Sequence, residues 1–220
     1  MLNNVQYTMP RAALYLNLLV FFLANFFLNP DSTRAIGNND GTLRSFADFS
    51  LAVQNGDANV LRGVYVPDVL ALPVAQQPVD RPYYVSSHNG EATQFAMASQ
   101  YGNIGLLAHN TLSGKLFSQL SIGLQVRLVY GDGRVEEYVV ASVLRFSASQ
   151  PESVSSSFHN LDRNETLSAG EMFSRAYAGE RHLVFQTCIA ADGNASWGRL
   201  FIIALPKPSE VGFIPVSRSY

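Results

Sequence analysis

One cysteine in 220 residues excludes an intramolecular disulfide and any zinc site built from several thiolates. Cys188 is therefore either a small buried residue or a reactive thiol. Charge is scarce as well. Asp, Glu, Lys and Arg make up 15% of the chain, and 15 Lys+Arg against 17 Asp+Glu leave a formal net charge of −2. Without a basic surplus to neutralise phosphates, nucleic acid is not an expected partner. The sequence also lacks an internal repeat, a coiled-coil heptad, a P-loop and a dinucleotide-binding glycine pattern. What it has in quantity is apolar: 47% hydrophobic residues, with 14 Phe and 10 Tyr. That is ample for the core of one ordinary domain with an extension.

The extension is amino-terminal. Residues 12–28, AALYLNLLVFFLANFFL, carry no charge, are interrupted only by Asn17 and Asn25, and end at Asn29-Pro30-Asp31. The run is near the short end of a membrane-spanning helix and longer than the usual apolar region of a secretory signal. Arg11 and the terminal amine precede it, which places residues 1–11 on the cytoplasmic side and the rest of the chain outside. A small-x-small cleavage site does not follow, so a single-pass signal anchor is favoured over a cleaved signal peptide. Residues 29–59 read as a linker holding a short amphipathic helix over 42–54, and residues 60–206 as the folded domain. The tail 207–220 stays unassigned.

The domain is written in short β-branched and aromatic runs: 60–67, 69–74, 83–88, 103–109, 124–148, 181–188 and 199–206. YGDGRV (130–135) carries an Asp-Gly turn between two such runs and predicts a hairpin. Runs this short, with little helix between them, predict a mainly β fold, a closed or nearly closed antiparallel barrel. Two helical pieces interrupt it. One lies over 111–123, with Leu112, Leu116, Phe117 and Leu120 in phase and Gly123 as its stop. The other lies over 167–179, where Ser168 and Glu171 have capping-box spacing and Gly179 suits the end. Between strand and second helix, residues 147–166 form a long polar connection, a length that often carries function.

Acyl transfer by a thiol needs a nucleophile, an imidazole within reach and a donor aimed at the developing oxyanion. Cys188 ends one apolar run, Arg199 opens the next, and His109 ends the run NIGLLAH. Antiparallel pairing of the last two runs brings Cys188 and Arg199 to one sheet edge. His88, in SSHNG, competes with His109, while His159 and His182 lie in polar surroundings. On spacing alone, a lone strand cysteine is more often a buried small residue and a strand-edge arginine more often a solvated charge.

The order of these elements resembles one family. VLRGVYVPDVLALPV (60–74), NIGLLAHN (103–110), SGKLFSQLSIGLQVRLV (113–129), LVFQTC (183–188) and WGRLFIIA (197–204) follow one another as the strands and motifs of sortases do. Sortases are cell-surface cysteine transpeptidases, and the resemblance covers about residues 60–206. It implies an eight-stranded β-barrel with Cys188 as nucleophile, His109 as the imidazole that protonates the leaving amine, and Arg199 as oxyanion or substrate donor. Thr187, Trp197 and Asn110 complete the expected site as substrate-contacting residues. The implied reaction cleaves a Leu-Pro-x-Thr-Gly-like sorting signal through a thioacyl enzyme and passes the acyl group to an amine on the cell wall or a pilin. The implied partners are surface proteins or peptides bearing the signal, the amine acceptor and the membrane. The catalytic domain is expected on the extracytoplasmic side of the cell membrane.

Two departures bear on this. Ala108 stands where many members have glycine, and the 147–180 connection matches no subclass pattern. No cofactor is expected. Calcium at Asp162, Glu165 and Glu171 is a weaker reading, because DRNETLSAGEMF lacks the glycine and terminal glutamate of a calcium loop. Two other functions remain open: a peptidase that only hydrolyses, and a non-catalytic surface barrel that binds peptides.

Overall fold

The computed structural model describes residues 45–153 and 155–207. The membrane-directed segment 12–28 and the tail from residue 208 lie outside the described residues, among which no helix is long and apolar enough to cross a membrane. Ten strands form one sheet: β1 (Leu61–Val66), β2 (Leu70–Gln76), β3 (Ala92–Phe95), β4 (Ile104–Leu107), β5 (Gln125–Tyr130), β6 (Val135–Ala148), β7 (Ser157–Asn160), β8 (Thr166–Ser168), β9 (Leu183–Ala191) and β10 (Asn194–Pro206). The order is β10-β9-β4-β3-β2-β1-β5-β6-β7-β8, and an additional β10–β6 pairing closes the first eight into a barrel. The expected eight-stranded closure is present. The strands β7 and β8 hang from the far end of β6, so the polar connection 147–166 is largely a short hairpin rather than a loop.

Alternation along the strands builds two apolar layers. Leu106, Phe185, Leu200 and Ile202 point into the barrel with Leu61, Val64, Leu72, Val126 and Leu128. Their neighbours Leu107, Val184 and Phe201 point outward and are covered by Phe158 of β7 and by Met172, Phe173 and Tyr177 of a helix over Ala169–Tyr177. Among the described residues that helix is the last of four, α4, after α1 (Phe46–Val53), α2 (Ala96–Ser99) and α3 (Gly114–Phe117). Its capping box is formed: the Ser168 hydroxyl accepts from the Glu171 amide, and the Glu171 carboxylate accepts from the Ser168 amide. The sheet is mixed, not antiparallel throughout. β2–β3 and β4–β9 run parallel.

Two further expectations change. The run 83–88 is not a strand, because its backbone groups are taken up locally. The Tyr84 amide donates to the Arg81 carbonyl, the Ser86 amide to Thr93 Oγ1, and the His88 amide to Ser86 Oγ. The strand is ATQF, 92–95, instead. The helix over 111–123 is reduced to the single turn α3, although Phe117 and Leu120 are buried in the barrel as its apolar phase predicts, and Gly123 ends the segment at φ +93°. The amphipathic helix expected over 42–54 is present as α1, capped by Ser45 and packed through Phe49 and Val53 onto Tyr65 and Val129. Gly63 permits this contact: a Cβ there would lie 2.9 Å from the Phe49 ring.

Candidate active site

The last two runs form a tight hairpin. β9 continues through Ala191 and β10 begins at Asn194, so the stretch between Cys188 and Arg199 is mostly strand. The turn residues Asp192 and Gly193 both have positive φ, 51° and 76°. This is the type I′ geometry that matches strand twist and that Asp-Gly satisfies. The register then sets Arg199 opposite Cys188. Paired residues of an antiparallel ladder share a face. Both follow the outward phase, Cys188 with Val184 and Arg199 with Phe201.

The histidine comes from the other side of β9. β4 runs parallel to it with Leu107 opposite Gln186, and the Ala108 amide donates to the Gln186 carbonyl at 3.3 Å. Two residues farther along each chain stand His109 and Cys188. Thr187 ties these chains together: its buried hydroxyl donates to the Ala108 carbonyl at 2.8 Å. That bond occupies the hydroxyl expected to contact substrate. Asn110 is also engaged, its Nδ2 donating to the Ala195 carbonyl at 2.9 Å and strapping the exit of β4 to the start of β10. Trp197, expected in a loop, is half-buried on β10 itself. Thus His109, Cys188 and Arg199 occupy one end of three adjacent strands.

Exposure differs sharply among them. Cys188 and His109 are half-buried, whereas Arg199 is 2% exposed. Its Nη1 donates to the carbonyls of Ser196 and Gly198, each at 2.9 Å, and its guanidinium carbon lies 5.9 Å from the centroid of the Phe158 ring. Gly198 lets β10 approach β6 closely, since a Cβ there would fall 2.3 Å from the Phe146 carbonyl oxygen. Burial pushes the His109 imidazole below its ordinary pKa, and a hydrogen bond to the Val85 backbone opposes the shift. Burial thus disfavours the protonated ring.

Several residues that shape the site were missed in the sequence. Gly114 packs so tightly that a Cβ would lie 2.4 Å from Thr187 Oγ1, 2.6 Å from the Ala108 carbonyl oxygen and 2.7 Å from the His109 carbonyl carbon. Under β9, the Tyr177 hydroxyl donates to Gln186 Oε1 at 2.7 Å, a buried polar pair two positions before the thiol. Phe158 sits within a polar stretch that offered no apolar pattern. The carboxylates weighed for calcium are otherwise engaged: Asp162 pairs with Arg145, Glu165 with Arg175, and Glu171 caps α4. Among the described residues no group of three or more His, Cys, Asp or Glu side chains is arranged to hold a metal ion.

No protein-family model matches the chain, and no curated protein does. Among solved structures it is similar to sortases. Sortase A of Listeria monocytogenes shares 14% identity at a TM-score of 0.43, over 69% of this chain and 89% of that one. Sortase C1 of Streptococcus suis shares 12% at 0.45, over 74% and 78%. Sortase C-1 of Actinomyces oris shares 12% at 0.45, over 90% and 99%.

Proposed function

We propose that the chain is a sortase-like cysteine transpeptidase that acts on a Leu-Pro-x-Thr-Gly-like signal. The observation that carries the reading is the pairing of Cys188 and Arg199 across β9 and β10, with His109 just beyond the end of the adjacent β4 and burial disfavouring its protonated form. The Cys188 thiol passes its proton to His109 and attacks the threonine carbonyl carbon of the Thr-Gly bond. The Arg199 guanidinium, fixed by backbone carbonyls, steadies the oxyanion. His109 returns the proton to the departing amine, leaving a thioester. A second amine then attacks, and Cys188 leaves as thiol. Residues 12–28 would hold this domain at the outer face of the membrane.

Intact-mass measurement tests it. The full-length chain in detergent micelles is incubated with a Leu-Pro-x-Thr-Gly-type peptide pool, beside Cys188→Ala, His109→Ala and Arg199→Ala. A mass gain equal to an acyl fragment ending in Thr, absent from Cys188→Ala, supports the reading, and added amines separate transfer from hydrolysis. No adduct and no cleavage across the pool, with Cys188 inert to small thiol reagents, would sink it and leave a peptide-binding barrel.

A further inference from the structure

A group of polar side chains outside the three-strand row converges on the histidine from the loop between β2 and β3. Ser86 is 3% exposed. Its hydroxyl donates to the Glu91 carboxylate and accepts from the His88 amide at 3.2 Å, while its own amide donates to Thr93 Oγ1 at 2.8 Å. His88 Nδ1 lies 3.3 Å from Ser86 Oγ and 3.7 Å from Glu91 Oε2. These contacts fold residues 85–91 into a fixed arc whose first member, Val85, holds the His109 ring through its backbone. A contact that favours the protonated imidazole is an acceptor, so the partner is the Val85 carbonyl.

The histidine's own backbone is gripped from the opposite side. The amides of Leu112 and Gly114 both donate to the His109 carbonyl at 2.9 Å. Between those two donors sits Ser113, 1% exposed, whose hydroxyl leaves the turn and accepts from the amides of Gly90 and Glu91 at 2.8 and 3.0 Å. One buried oxygen thus joins the turn that fixes the His109 backbone to the arc that fixes the His109 ring. We propose that Ser113 is a positioning residue for His109, stapling the 85–91 arc to the 109–114 turn so that ring and backbone are set together. The inference deepens the proposed function, on which it rests for the role of His109 as imidazole partner of Cys188. Removing the hydroxyl orphans two amides at once, and the least costly response is for the arc to move outward into water, taking the Val85 carbonyl from the ring.

The test uses the full-length chain in detergent micelles, with carbon-13 at histidine Cε1 and the His109 signal assigned by its loss in His109→Gln. Wild type is compared with Ser113→Ala, with Ser86→Ala, which loosens the same arc from within, and with Ser118→Ala on the exposed end of α3. The expected result is a displaced His109 signal in Ser113→Ala, a smaller displacement in Ser86→Ala, and none in Ser118→Ala. Turnover of a signal peptide falls roughly tenfold or more in kcat with KM little changed. An unmoved His109 signal in folded Ser113→Ala overturns the proposal; if that variant fails to fold, an unmoved signal in Ser86→Ala does so. Because the signal needs no turnover, absence of activity in every variant including wild type would overturn only the enzymatic reading.

Discussion

Cys188 and Arg199 are paired across the β9–β10 ladder and share its outer face, yet the thiol is half-buried and the guanidinium is 2% exposed. An arginine is costly to bury, and its burial is tolerated only where its donors are met. Here Nη1 alone meets two backbone carbonyls, from Ser196 and Gly198, in its own strand. The planar guanidinium is therefore held in one orientation, at the end of the bulged stretch that separates Asn194 from Gly198 in the pairing with β9.

Replacing Arg199 by lysine should show what that orientation supplies. An ammonium is a compact point of charge, and the same group cannot satisfy the carbonyls of Ser196 and Gly198 while also reaching the face of the thiol as a planar fork does. The expected outcome is a fall of about a hundredfold or more in kcat for acyl transfer, with alkylation of Cys188 by a small reagent retained. Steady-state kinetics on the peptide identified by mass analysis would decide it. A variant within about threefold of wild type would remove Arg199 from the oxyanion role.

Gly114→Ala should misplace the histidine. Its added methyl meets Thr187 Oγ1, the Ala108 carbonyl and the His109 carbonyl carbon, two of them backbone atoms that cannot rotate away. Overpacking of this kind costs about 1–3 kcal/mol. Thr187→Val, which strips the donor from the Ala108 carbonyl, costs a similar ~1–3 kcal/mol by orphaning that acceptor. The double variant is expected to be no more stable than Gly114→Ala, because the clash with the Ala108 carbonyl persists. Urea unfolding of the four chains measures this, and full recovery in the double variant would place the whole clash on the threonine hydroxyl.

The barrel was legible because its code is local. Leu61–Val66, Gln125–Tyr130 and the Asp132-Gly133 hairpin alternate or turn as isolated strands and turns do, and the Ser168/Glu171 box announced α4. The second Asp-Gly, at 192–193, carries the same signal as the first but lies inside a polar run, so the apolar runs 181–188 and 199–206 stop short of the hairpin ends of β9 and β10. The strands β3 and β7 are only four residues long, and β7, SFHN, carries a single large apolar residue, so neither offers a run that periodicity can show. His109, Cys188 and Arg199 were found by residue order, but Ser113 was not: its value lies in two amides more than twenty positions away, a relation that periodicity does not encode.

The 192–193 turn itself offers a sharp check. Both residues sit in the left-handed region, where glycine is at ease and aspartate is tolerated. Gly193→Val should cost more than about 1 kcal/mol, since a β-branched residue at positive φ is strained regardless of free space. Asp192→Asn should be nearly neutral. Thermal melts establish the ranking, and the valine variant should also speed hydrogen exchange at Ala191 and Asn194, the pair that closes the hairpin. Equal stability of the two variants would mean that the turn is not the one described.

The buried imidazole makes acid a destabilising condition for this site. His109 in the folded chain titrates below the ordinary value of 6.5, chiefly because burial penalises its charged form. Unfolding releases that penalty, so between 6.5 and the depressed folded midpoint the unfolded chain binds the proton that the folded chain refuses. The stability contributed by the neutral ring is whole above 6.5 and is lost as pH falls through that window. His109→Gln keeps a polar, uncharged side chain in the same place and removes the titration. Its urea midpoint should therefore fall less steeply than that of wild type over the acidic side of neutrality, while the two curves run parallel above it. The opposite ordering, with wild type gaining on the variant as pH falls, would mean that the folded state holds His109 as an imidazolium, and the resting pair with Cys188 would then be ionic rather than neutral.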